Sequence, residues 1–106
     1  MKAEPLKLNK SDLGYVQHMA NKGDDPHWER RLYFTISRME PDQQAELLAL
    51  YLLGRGGLRS FNVALASAQR QQRIPETLAE KGNLSSCLAL GIKRFKKQEG
   101  KSKNAI

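Results

Sequence analysis

From Ser11 onward, apolar side chains return at steps of three and four residues through most of the chain, the spacing that places them on one face of an α-helix. Leu13, Val16, Met19 and Ala20 form the first such stripe, with Ser11 as its expected cap and Lys22-Gly23-Asp24 as its stop at about residue 22. Asp25-Pro26 then opens a second helix, because Asp accepts hydrogen bonds from unpaired amides and Pro has no amide to leave unpaired. Trp28, Leu32, Ile36 and Met39 keep its buried face, and Glu29, Arg30, Arg31 and Arg38 fall largely on its wet side. Leu32-Tyr33-Phe34-Thr35-Ile36 contains strand-forming residue types, yet the Pro-opened context and the spacing from Trp28 to Met39 predict helix.

Pro41 ends that helix and opens a third, with Asp42 at the positive end of its dipole. From Pro41 to Leu53 the later turns, Leu47-Leu48-Ala49-Leu50-Tyr51-Leu52-Leu53, are apolar nearly all round. Such a helix must be covered on several sides, so it is placed at the centre with the others packed on it. Gly54 is expected to close it in the left-handed conformation, and Arg55-Gly56-Gly57 to continue as a turn. A fourth helix starts at Ser60, with Phe61, Ala64, Leu65 and Ala68 inward and Asn62, Gln69, Arg70 and Arg73 outward. A short fifth helix runs from Pro75 through Leu78 and Ala79 and closes at Gly82-Asn83. The last is marked by Leu84, Cys87, Leu88, Gly91, Ile92 and Phe95, and Gly91 within that stripe predicts a close helix crossing.

The expected fold is therefore all-α, a compact bundle of five to six short helices around a central apolar helix at about 41–53. With 106 residues the chain holds one domain, read as an N-terminal extension at 1–8, a helical domain at 9–97 and a flexible, disordered basic tail at 98–106. The longest nearly uncharged apolar run, Leu47–Leu53, is seven residues, against the roughly 20 that cross a bilayer. Glu4 and Pro5 stand where a secretory signal needs a basic start and an apolar run, and the single cysteine, Cys87, has no partner for an internal disulfide. A bacterial cytoplasmic location is the expectation.

Charge changes the picture. The net charge is +7, and residues 55–106 hold eleven Lys/Arg against Glu76, Glu80 and Glu99, whereas residues 1–54 are nearly balanced. A clustered basic surface attracts nucleic acid, anionic lipid or acidic protein without sequence-specific contacts.

The run Gln43-Gln44-Ala45-Glu46-Leu47-Leu48-Ala49-Leu50-Tyr51-Leu52-Leu53-Gly54-Arg55-Gly56 has an acidic/Gln-rich helix start, an Ala-x-Leu-x-Ala-Leu core and a closing Gly-Arg-Gly. Downstream follow a small-residue helix, Ala64-Leu65-Ala66-Ser67-Ala68, and a last helix of the form Leu84-x-x-x-Leu88-x-x-Gly91-Ile92. Together, over about residues 6–95, these resemble a bacterial domain-of-unknown-function family, the one numbered 3775. The resemblance implies a compact helical domain and carries over no catalytic residues. Gly57, and a final helix that is neutral and then basic, depart from the acidic residues usual in that family.

No catalytic, cofactor or metal site is assigned. Gly54-Arg55-Gly56-Gly57 follows a helix, whereas a phosphate-cradling loop joins a strand to a helix and supplies a Lys-Ser/Thr pair. Asp24, Asp25 and His27 are read as caps of the second helix, with no second cluster to complete a metal site, His18 lying in another helix. Cys87 and the aromatic residues Trp28, Tyr33, Phe34, Tyr51, Phe61 and Phe95 are read as core. The candidate contacts for an anion or nucleic acid are Arg55, Arg59, Arg70, Arg73, Lys93, Arg94, Lys96 and Lys97, continued by Lys101 and Lys103. The leading expectation is a non-enzymatic module acting on another protein. The alternative is a nucleic-acid-binding accessory protein using a helix at about 60–73 with Asn62, Gln69, Arg70 and Arg73, and the C-terminal lysines on phosphates. An enzyme would need Asp24, Asp25 or His27 to converge with Arg55.

Overall fold

The computed structural model describes residues 8, 10–20, 27–81 and 83–104. Among them are six helices and no strand: α1 (Lys10–Ala20), α2 (Trp28–Ser37), α3 (Pro41–Arg55), α4 (Phe61–Gln69), α5 (Ile74–Ala79) and α6 (Leu84–Asn104). The all-α expectation therefore stands. The segment 32–36 is helical inside α2, with Leu32 and Ile36 wholly buried.

The start of α3 is built locally. Glu40 is extended, Pro41 takes the first turn, and the Gln43 side-chain oxygen accepts the Glu40 amide at 3.0 Å, half of the reciprocal bonding that satisfies a helix start. Gln44 turns back the other way, donating from Nε2 to the carbonyls of Ile36 at 3.0 Å and Met39 at 3.1 Å. One side chain thus closes the carbonyl end of α2 while belonging to the first turn of α3.

Beyond that turn α3 is enclosed: Ala45 through Tyr51, Leu53 and Gly54 are buried. α6 and α4 pack on it, with α5 adding a smaller contact, while α2 lies against α1 and α5. Tyr51, 3% exposed, keeps its hydroxyl satisfied by donating to Asn83 Oδ1 at 3.0 Å, as a buried phenol requires. Phe61 of α4 and Phe95 of α6 meet edge to face with centroids 4.7 Å apart.

Several boundaries differ from the sequence reading. Gly54 does not end α3. It is buried inside the helix, which runs on to Arg55 and is closed by Gly56 at φ +98°, whose amide reaches the Leu52 carbonyl at 3.3 Å. The reason is the neighbouring helix: a Cβ on Gly54 would overlap the Cys87 carbonyl and come within 2.7 Å of the Gly91 nitrogen. The expected close crossing at Gly91 is present, since a Cβ there would overlap the Leu50 carbonyl oxygen.

α4 stops at Gln69 rather than near 73; Ser60 caps its start by accepting the Val63 amide at 3.3 Å. Arg73 stands outside it in the left-handed region, φ 60° and ψ 42°, preceding α5. Ser11 lies inside the first turn of α1 rather than ahead of it. α6 runs as helix to Asn104, into the segment read as a basic tail. Asp24, Asp25 and Pro26, and the stop at Lys22-Gly23-Asp24, lie outside the described residues.

Candidate functional site

The last four carbonyls of a helix have no partner within it, and the helix dipole makes that end negative. At the end of α3 the missing partner comes from α6: Arg94 donates from Nη1 to the Leu53 carbonyl at 2.6 Å and to the Gly54 carbonyl at 3.4 Å. Arg55, the last residue of α3, is exposed. The crossing at Gly54 and Gly91 makes the reach short, because it brings the two backbones together one turn below Arg94.

Most of the candidate cations lie toward this end of α3, on more than one face. Lys93, Lys96 and Lys97 are exposed at i, i+3 and i+4 on α6 and so share one face. Arg59 is exposed two residues before Phe61, whose ring sits on Phe95 of α6. Arg55, Arg59, Lys93, Arg94, Lys96 and Lys97 therefore belong to one end of the molecule.

Arg70 and Arg73 do not join them. Arg73, with Gln69 and Gln71, lines a shallow groove of about 250 Å³ whose other wall includes Pro41 and Asp42, the first residues of α3. The 15 residues of α3 separate this groove from Arg55 by about 22 Å at 1.5 Å per residue. Arg73 also pairs with Glu76, Nε to Oε2 at 3.3 Å, with the arginine side chain 83% exposed. The helix imagined over 60–73 is thus split, and its arginines lie at the end of α3 opposite to the lysines of α6.

Cys87 is buried at 7% against α3. His27 precedes α2 without a side-chain bond to its first turn. Among the described residues no three His, Cys, Asp or Glu side chains gather as ligands for a metal, and no helix is long and apolar enough to cross a membrane. Tyr51, Phe61 and Phe95 are core or packed against it, as expected. Phe34 is not: it is 58% exposed. The side chain of Trp28 lies outside the described residues.

Glu46 was not singled out in the sequence. It is the one acid in the buried body of α3, 8% exposed, and its Oε1 accepts the Leu8 amide at 2.7 Å. Its place in the polar helix start, directly ahead of the apolar run Leu47–Leu53, leaves it without a distinguishing signal in the sequence.

A family model described as "Protein of unknown function (DUF3775)" matches residues 29–96, more than half of the chain. We found no match among curated proteins or solved structures.

Proposed function

This chain belongs to the DUF3775 family, and we propose that it is a non-catalytic module that binds nucleic acid through the basic end formed where α6 meets the end of α3. The observation that supports this reading is that Arg55, Arg59, Lys93, Lys96 and Lys97, all exposed, lie toward the same end of α3 as the anchored Arg94. Cations held on a packed scaffold neutralise phosphates and release the counterions condensed on them, which makes binding strong at low salt and sequence-tolerant. The exposed large apolar side chains, Tyr15, Phe34, Val63 and Leu90, stand on four different helices, whereas six of the eight candidate cations lie toward one end of α3.

A protein partner remains the second reading. Leu90, 46% exposed on α6 and three residues before Lys93, favours it by offering an apolar contact beside the lysines to an acidic protein surface.

The test is a salt titration of binding to labelled oligonucleotides by fluorescence anisotropy, starting near about 50 mM salt. Replacing Lys93, Lys96 and Lys97 together by Glu should weaken binding and lower the log–log salt slope by about 2 to 3, if each lysine holds one phosphate. An unmodified protein that binds neither single strand nor duplex at low salt removes this reading and leaves the protein partner.

A further inference from the structure

The outer face of α2 is organised around an aromatic ring. At about 100° per residue, Phe34 falls opposite Leu32 and Ile36, which are wholly buried. It is the most exposed large apolar side chain among the described residues, at 58%. Arg30 stands one turn before it and Arg38 one turn after it, while Arg31 and Ser37 complete the same arc; all four are exposed. Glu29 is exposed too, but the helical period places it well outside that arc, toward Tyr33. Tyr33 is half-buried, and its ring meets that of Phe34 at 5.7 Å and 63°, a contact that steadies an otherwise unsupported side chain.

We infer that this face of α2 is a contact for single-stranded nucleic acid, with the Phe34 ring stacked on a base and Arg30 and Arg38 on the flanking phosphates. The inference rests on the nucleic-acid reading above and adds a second surface and a strand preference to it. Three guanidiniums around one ring match a polyanion that also carries flat apolar faces. A dry protein interface needs several contiguous apolar side chains at its centre, and this arc supplies one. A duplex keeps its base faces stacked inside and can offer the arginines only phosphates, so the ring distinguishes the two forms. The first 54 residues are nearly neutral as a whole, and their three arginines, Arg30, Arg31 and Arg38, all fall on this arc.

The experiment uses the full chain with two probes, an oligothymidylate and a mixed-sequence duplex of equal length. Phe34→Ala and Phe34→Leu should each weaken oligothymidylate binding by about tenfold, the order expected for one stacked base, and leave duplex binding within about twofold. Arg30→Ala combined with Arg38→Ala should lower the single-strand salt slope by about 1 to 2. Phe34 is exposed, so these variants are expected to keep the wild-type circular dichroism and melting curve. Phe34 variants that bind oligothymidylate like wild type, while the Lys93, Lys96 and Lys97 replacement still loses affinity, overturn this inference and leave the broader reading intact. Equal losses for strand and duplex also overturn it. A polyglutamate peptide that binds wild type as tightly as the oligothymidylate, with the same loss in Phe34→Leu, would assign the face to an acidic protein segment and overturn it as well.

Discussion

Gly54 of α3 and Gly91 of α6 face each other where the two helices cross, and the backbone of each helix occupies the place a side chain on the other would take. Nothing in that arrangement can give way cheaply, because the obstructing atoms are carbonyl and amide groups rather than the tips of flexible side chains. Gly54→Ala and Gly91→Ala should each cost about 3 kcal/mol, the upper part of the range for overpacking. Urea denaturation monitored by circular dichroism measures it. A loss under about 0.5 kcal/mol in either, the level of an ordinary surface change, would show that the helices slide apart freely.

Gly14 gives the opposite sign. It lies exposed in α1 with no atom within 4 Å of a built Cβ, so only the backbone entropy of glycine acts there. Gly14→Ala should stabilise the protein by about 0.5 to 1 kcal/mol, read in the same urea series.

Arg94 acts on two carbonyls at the end of α3. Arg94→Ala should destabilise by about 1 to 2 kcal/mol, for loss of a charged hydrogen bond at a helix end. Arg94→Lys should recover part of it, since an ammonium supplies charge without the planar fork. Thermal denaturation of the three proteins ranks them, and equal midpoints would remove the anchoring role.

Tyr51→Phe removes the half-buried bond to Asn83 and should cost about 1 kcal/mol, with Asn83→Ala adding little once Tyr51 is gone. A double-mutant cycle in urea provides the coupling. Purely additive losses would mean the two side chains do not act on one another.

Glu46→Ala leaves the buried Leu8 amide without its acceptor and should destabilise by about 1 to 3 kcal/mol. Glu46→Gln keeps an oxygen in place and should lose less. Denaturant midpoints of the two variants decide it, and a smaller loss in the alanine variant would contradict the pairing.

The central helix is legible because burial on several sides leaves a continuous apolar run, as from Leu47 to Leu53, and α6 because one buried face leaves an apolar stripe at helical spacing. Gly91 was legible for the same reason, being a small residue in step with Leu84, Leu88 and Ile92. Gly54 was not: glycine near a helix end serves a left-handed cap or a close approach equally well, and only the neighbouring α6 decides between them. Most of the aromatic side chains keep helical step with aliphatic neighbours, but the register that buries Leu32 and Ile36 turns Phe34 outward. The cations were read as one group because charge along a chain carries no direction in space. The antiparallel run of α3 then placed Arg73 beside Pro41 and left Arg55 at the far end with Arg94.

The bond from Leu8 to Glu46 ties a residue ahead of α1 to the middle of the chain. In heavy water, amides near a chain terminus ordinarily trade their protons within moments, since opening there costs little. The Leu8 proton should instead be held measurably longer, because a buried carboxylate of α3 accepts it.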